Sequence, residues 1–588
     1  MEARRRTWFD DRGLMVEGGR RLPFYAASFS YWRVDRSRWA SELRAIHALG
    51  VPLVETYVPW RVHEPDPGAK VWTSDRDLAR FLDAAASAGL HVVLRPGPQI
   101  DAEIAGFGIP DWVLDEPACQ ARTAQDTPAW LPLPPRAFPI PSYASAAFRE
   151  RVRAWYATVA EVVQSHLAPD GPVVAIGVDN DADLFYRLGA FDLDYHPDAL
   201  GAWRDASGLD EPPRQWRADD AARCALWLKH KDDYHARALR EFGRLLDDVG
   251  LGEIARFDGA LTAYSSRRSF GELRRLATAH VTRAPLPLAF EVGMVPWLPP
   301  LEHADDPTRE RDQLLSLLAC GVRGFAVHAQ PYLKSLVVAL AEVDWPTLRR
   351  TPSIALVDVR ADARFGLATN VLDPVTPVIA DAAGLGAADL GTDTGAIAAR
   401  RWHIAITRAL ELAHVPYAIV DEATSEDELS RYRAVIAPTH ERIDRGLFQR
   451  LRALVDHKRA IVVIGPGTPM RDELDQPLNE AVPKRVGKLK AGSLEDLAGL
   501  AEDLAALAGE ASDDWHVERP DDVRTMAFSD PEGAVKVVFV VSDSDRASTA
   551  VVLAASSLRD ALTNELFDLT DGRISIPMPP RGVRMLLA

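Results

Sequence analysis

Two stretches of this chain carry short apolar runs straight into side chains suited to binding and cleaving polar substrates. VETYVPWRVHEPDPG runs from Val54 to Gly68, and HVVLRPGPQIDAEIAGFGIPDW from His91 to Trp112. Each gives way abruptly to arginine, histidine, carboxylate and aromatic residues, as a buried parallel strand does where it opens onto an active-site rim. Further on, GPVVAIGVDND sets Asp179, Asn180 and Asp181 behind another apolar run, and PLAFE sets Glu291 behind four apolar residues. A carboxylate at a buried strand end is costly unless it is paired or used, so Glu291 reads as a site residue. Asp181, taken with Asp179 and Asp183, reads equally as part of a solvated acidic rim loop.

The elements that would hold these residues alternate along the first 350 positions. Strands are expected at Leu22–Phe29, Val51–Tyr57, His91–Arg95, Pro172–Val178, near GEIARFD and AHVTRA, at Pro287–Glu291 and at Val322–His328. Helices are expected at Trp39–Leu49, Leu78–Ala88 and Ala147–His166. Strand then helix, repeated about eight times, predicts a (β/α)8 TIM barrel over residues 1–350. The proline-rich stretch Pro117–Ser142 follows strand three and reads as a rim loop. A second α/β unit over 351–515 opens at SIALVDVR and continues through PYAIVD, RAVIAPT and AIVVIGPG, predicting a small doubly wound sheet. Its GPG lacks a dinucleotide fingerprint and reads as a strand-end turn. Residues 516–588 alternate like a small antiparallel β-sandwich.

Composition narrows the partners. The 588 residues are 47% hydrophobic and 26% charged, with a net charge of −17, which is ordinary for globular proteins and disfavours nucleic acid or an anionic membrane as partner. No apolar run approaches the roughly 20 residues of a membrane span. The basic MEARRRTWFDDRG has no apolar core behind it and is not expected to be a secretory signal, so a cytoplasmic protein is expected. Cys119, Cys224 and Cys320 lie too far apart for a disulfide framework or metal knuckle and are expected to be buried, inert thiols. No cofactor or metal is expected.

YWRVDRSRW, VETYVPWRVHEP, LRPGPQIDAE, GPVVAIGVDND and PLAFE together resemble the glycoside hydrolase family 35 β-galactosidases over roughly Arg21 to Trp345. The middle unit resembles the flavodoxin-like oligomerisation domain of family 42 β-galactosidases, and the tail their small C-terminal β domain. The resemblance implies a retaining exo-glycosidase with two carboxylates about 5–5.5 Å apart. Glu291 would be the nucleophile. Asp181 after Asn180 would be the acid/base, where the family has asparagine-glutamate. Ala102 and Glu103 would contact sugar hydroxyls, and Tyr57 would line the pocket, or else pack in the core. Trp297 would offer a stacking face or pack at the rim, and His328 with Gln330 would replace missing pocket wall, or His328 would face the core. Arg33 and Arg95 would bind substrate or pair with Glu55 and Glu103, and His63 and Glu64 would hold the loop after strand two. Departures from the family pattern are Ser30, Gln99 and Asp101, and the segment after strand eight runs directly into a helix.

The expected function is therefore a retaining hydrolase of a β-galactoside or related β-glycoside, homo-oligomeric through its middle domain. The alternative is a catalytically degenerate relative that only binds carbohydrate.

Overall fold

The structure is a computed structural model. It describes residues 5–588 apart from 11–12, 101–103, 134–135, 180–190, 259–306, 320, 322, 351, 363–401, 403–404, 408, 411, 414, 484–485, 490–495, 510–514, 521 and 543. The N-terminal part contains strands β1 (Thr7–Asp10), β2 (Gly13–Val16), β3 (Arg20–Leu22), β4 (Tyr25–Ser28), β5 (Leu53–Tyr57), β6 (His91–Arg95), β7 (Trp130–Leu133), β8 (Arg136–Pro139), β9 (Val173–Val178), β10 (Ala255–Asp258) and β11 (Phe325–Val327). Six of them form one parallel sheet in the order β10-β9-β6-β5-β4-β11. The last strand thus returns beside the first, and the sheet curls. The sequence-expected strands at AHVTRA and PLAFE lie outside the described residues.

Period-two alternation explains why both sheet faces are apolar. Leu53, Val93, Ala175, Phe257 and Ala326 cluster on the concave side. Val54, Val92, Leu94 and Ile176 turn the other way, into the core shared with the helices. Those helices start where short polar side chains cap them. Asp35 accepts from Ser37 N at 2.8 Å, Asp77 from Arg80 N at 3.1 Å, and Ser145 from Phe148 N at 3.1 Å, opening Arg36–Ala48, Leu78–Ser87 and Ala146–Val163. The first of these begins three residues before its apolar spacing does, because the cap rather than the periodicity sets its start.

Two features depart from the sequence expectation. Thr7–Asp10, Gly13–Val16 and Arg20–Leu22 form a three-stranded antiparallel sheet, β1-β2-β3, that the sequence does not announce. Its Leu14, Val16 and Leu22 join the concave cluster, and Thr7 Oγ1 donates to Val174 O at 2.8 Å and accepts from Ala255 N at 2.7 Å. The proline-rich segment is no plain loop either, since β7 and β8 pair within it. A two-stranded ribbon tolerates proline because its outer edges need no donors.

The middle part has a five-stranded parallel sheet, ordered 417–421, 354–358, 434–439, 461–466, 487–488. Leu356, Ile436 and Val463 face one apolar layer, which includes Leu500 and Leu504 of helix Leu497–Ala508. Val357, Val435 and Ile464 face another, which includes Leu447 and Leu451 of helix Arg445–Asp456. Helices on both faces are what continuous apolar strands require. After the fourth strand, Thr439 Oγ1 donates to Gly467 O at 2.7 Å and accepts from Gly465 N at 3.0 Å, closing GPG as a turn.

The C-terminal part is β-rich, with antiparallel sheets of three and five strands. In Val535–Ser542, Val538 and Val540 face the smaller sheet. Val537, Phe539 and Val541 face the core that also holds Leu314, Leu318 and Trp345. Among the described residues no helix is long and apolar enough to cross a membrane. Cys119 and Cys224 are buried, and burial pushes the Cys119 thiol up to about 12; Cys320 lies outside the described residues.

Candidate active site

The C-terminal ends of β4, β5, β6 and β9 converge on a polar mouth. Glu55 and Arg95 occupy the concave side one step beyond Leu53 and Val93, both essentially without solvent exposure, and form an ion pair. The Arg95 guanidinium also lies 4.8 Å from the Phe257 ring centroid. This packing needs Gly177 on β9, where a Cβ would come within 2.9 Å of Phe257 and 3.0 Å of Arg95. The pairing expected of Arg95 with Glu55 is thus present. Arg33, just after β4, is exposed, with its guanidinium 4.4 Å from the Trp32 ring centroid; its other expected partner, Glu103, lies outside the described residues. Trp32 packs in turn against buried Tyr57 and Ile100, together with Ile104. Tyr57 is therefore enclosed at the end of β5 rather than presented on an open surface.

The turn after β6 is fixed from three sides. Trp155 Nε1 donates to Pro96 O at 2.7 Å, Tyr156 OH to Gly97 O at 2.6 Å, and Asp179 N to Gly97 O at 3.0 Å. Asp179, buried and with a φ of 57°, returns two bonds: Oδ1 accepts from Gln99 N at 2.9 Å and Oδ2 from Tyr143 OH at 2.7 Å. A solvated rim aspartate does not describe this residue. It ties the end of β9 to the turn after β6 and leads directly into Asn180 and Asp181. Burial, then the nearby Asp179 charge, holds the Tyr156 phenol far above its ordinary value. Nothing in the sequence set Asp179 apart from its acidic neighbours, and only position separates it: it is the first residue off the strand.

The loop after β5 is held as expected. His63 Nδ1 faces Val71 O at 3.0 Å and Nε2 faces Tyr31 OH at 2.7 Å. A carbonyl can only accept, so the proton is on Nδ1, and Nε2 accepts a hydrogen bond from the Tyr31 hydroxyl. The ring stacks on Trp72 at 4.3 Å, and burial pushes its pKa down to about 4. Glu64 accepts from Trp60 Nε1 at 2.8 Å and Gly68 N at 2.9 Å.

His328 follows β11 and is partly exposed. Its Nδ1 meets Glu310 Oε2 at 3.2 Å, and Glu310 Oε1 accepts from Tyr332 OH at 3.0 Å. Glu310, buried in helix Pro307–Ala319, had no sequence signal; it orients His328 at this side of the sheet. Asp194 anchors residues 191–196. It accepts from Ser142 Oγ at 2.6 Å, Tyr234 OH at 2.8 Å and His196 N at 2.9 Å. Buried Lys231, whose pKa burial lowers to about 8, donates to Leu193 O.

Ala102, Glu103, Asn180, Asp181, Glu291 and Trp297 lie outside the described residues. Of the sequence-expected site, the structure brings together Tyr57 and Arg95, paired across β5 and β6, and sets Arg33 just after β4 and His328 just after β11.

The region that builds this mouth also carries the resemblance to known proteins. Residues 14–203 match the family model of glycosyl hydrolases family 35. An exo-β-D-glucosaminidase of Pyrococcus horikoshii is 32% identical over 175 residues, 29% of this chain and 22% of that protein. A β-galactosidase of Mus musculus is 29% identical over 185 residues, 31% of this chain and 25% of that protein. The matched stretch thus spans about a quarter of these relatives. A GH42 β-galactosidase of G. stearothermophilus shares the fold over 96% of this chain and 98% of its own, with a TM-score of 0.64 at 11% identity. The chain therefore joins a family 35-like N-terminal region to an overall fold like that of a family 42 enzyme.

Proposed function

We propose that this protein is a retaining glycoside hydrolase acting on a β-galactoside or related β-glycoside by double displacement. The observation that carries the reading is the coincidence of the family 35 match with the mouth over β4–β9, whose buried polar ring leads straight into Asn180 and Asp181. In this reading AHVTRA and PLAFE complete an eight-stranded barrel over residues 1–350, followed by a flavodoxin-like unit over 351–515 and a β-sandwich over 516–588. Glu291 attacks the anomeric carbon. Asp181 protonates the leaving oxygen and then deprotonates the incoming water, with two carboxyl groups on opposite sides of the bond supplying both steps. Ala102, Glu103, Asn180 and Trp297 surround the sugar, and Tyr57 packs in the core at the end of β5. The protein works on carbohydrate in the cytoplasm as a homo-oligomer joined through the middle unit, which light scattering of the full chain would show as a dimer or larger.

Glu291→Gln should lower turnover of aryl β-glycosides by several orders of magnitude while the protein stays folded. Asp181→Asn should hurt poor leaving groups more than dinitrophenyl glycosides, with azide rescuing the latter. Wild-type turnover in Glu291→Gln would refute the assignment. The second reading, a carbohydrate binder without turnover, is favoured by Gln99 at a position where the family carries tyrosine. It predicts saturable sugar binding with no hydrolysis of any aryl glycoside.

A further inference from the structure

Three consecutive strands end in buried polar atoms that the fold leaves unmet. After β4, Trp32 Nε1 is a buried donor. On β5, Glu55 Oε2 is a buried acceptor whose sister oxygen is taken by Arg95. After β6, Gln99 is fully buried with both Oε1 and Nε2 idle. Among the described residues, none of these four atoms has a hydrogen-bond partner. Buried side-chain polar atoms are satisfied in the large majority of cases, and each unmet one destabilises the fold. These four sit together at the concave ends of adjacent strands, beside the Trp32–Tyr57–Ile100 cluster, whereas other unmet atoms, such as Trp203 Nε1, Ser316 Oγ and Ser548 Oγ, lie singly elsewhere in the chain.

We infer that Gln99, together with Glu55 Oε2 and Trp32 Nε1, reads the hydroxyl pattern of the terminal sugar. The inference rests on the glycosidase reading and narrows its substrate. A sugar hydroxyl both donates and accepts, and so can satisfy a carboxamide, a carboxylate oxygen and an indole N–H at once. Arg95 already neutralises Glu55, so the Glu55 carboxylate offers no uncompensated charge to an ammonium group. The matching ligand is a neutral glycoside bearing free hydroxyls on adjacent carbons, not an amino sugar. Gln99 is thus a specificity-determining residue on the side of the mouth formed by β4, β5 and β6. Tyrosine at this position would supply one hydroxyl in place of two amide atoms.

The test compares wild type with Gln99→Met, which keeps the length and removes both polar atoms, and with Trp32→Phe. Each is assayed on 4-nitrophenyl β-galactoside, its four monodeoxy analogues and the 2-amino analogue, and each is melted thermally. Gln99→Met is expected to melt at the same temperature or higher. It should lower kcat/KM on the parent glycoside about 10- to 100-fold, as losing two hydrogen bonds implies. Wild type should discriminate against one or two of the deoxy analogues, and that discrimination should collapse in Gln99→Met and shrink in Trp32→Phe. Unchanged deoxy ratios in Gln99→Met, or wild-type preference for the 2-amino sugar, would overturn the inference. If wild type hydrolyses none of these glycosides, the β-galactosidase reading fails by itself. The same series is then run as galactose and deoxygalactose binding by calorimetry. There, loss of deoxy discrimination in Gln99→Met supports the hydroxyl-reading role, and equal affinities or no binding overturn it.

Discussion

His63 makes the stability of the barrel region depend on pH in a way that can be isolated. Its ring is fully buried, Nε2 holds the Tyr31 phenol and Nδ1 the Val71 carbonyl. Burial lowers its pKa from 6.5 to about 4. Between those values the unfolded chain takes up a proton and the folded one does not, so stability falls as pH drops from 6.5 towards 4. Linkage from pH 7 to pH 5 gives a loss of about 1.8 kcal/mol from this one residue, or roughly 2–3 °C in melting temperature for a unit of about 350 residues. The comparison is urea unfolding of wild type and His63→Phe at both pH values. Phenylalanine keeps the stack on Trp72 and cannot ionise. The variant is less stable at both pH values because it strands the Tyr31 hydroxyl and the Val71 carbonyl, and that cost does not titrate. Wild type should lose about 1.8 kcal/mol more than the variant on acidification. Equal losses, within about 0.5 kcal/mol, would mean that His63 takes up a proton in the folded state as readily as in the unfolded one, and the buried neutral ring described above would be wrong.

Three other substitutions test the supports of the mouth and of the core. Asp179→Ala strands the buried Gln99 N–H and the Tyr143 hydroxyl, and should cost about 2–5 kcal/mol in chemical denaturation and abolish glycoside turnover. Asp179→Asn, which keeps one acceptor, should retain more than half of that stability. Arg95→Met leaves the Glu55 carboxylate buried without its cation and should cost about 3–5 kcal/mol, most of it recovered in the Arg95→Met/Glu55→Met double variant; a double variant no better than the single would disprove the pairing. Phe539→Ala opens a cavity against Trp345 and Phe528, whose ring centroids lie 5.7 and 5.8 Å away. It should cost about 3–5 kcal/mol, and limited proteolysis should then cut near residues 307–350 as well as in the tail.

The strands were legible because burial on both faces writes itself into sequence as unbroken apolar runs. LVETY, HVVLR, VVAIGV, AVIAPT and VKVVFVVS fall where those runs predict, to within a residue or two. The β1–β3 sheet was missed because its apolar residues Leu14, Val16 and Leu22 are interrupted by glycines and charges, and their partners lie some 150–240 positions away at Val174 and Ala255. Helix Ala221–Asp248 went unassigned because lysine, aspartate and histidine dilute its pattern, while Trp227, Tyr234 and Phe242 still anchor it. At the site, motif and strand-end position together found Tyr57 and Arg95. They did not find Asp179, Glu310 or the idle carboxamide of Gln99, since what distinguishes those residues is which atoms across the fold meet them, or fail to.

The strand Val535–Ser542 sends alternate side chains into two different cores. One of those cores is walled on its other side by Leu314, Leu318 and Trp345, which a ribosome makes some two hundred residues earlier. Until the tail emerges, the nascent N-terminal region carries an uncovered greasy face through the whole synthesis of the middle unit. At about 5–20 residues per second that is an exposure of roughly ten to forty seconds. Production of this protein in a foreign host should accordingly be limited by holdase supply rather than by codon choice, and slowing translation through the middle unit should lower the soluble yield rather than raise it.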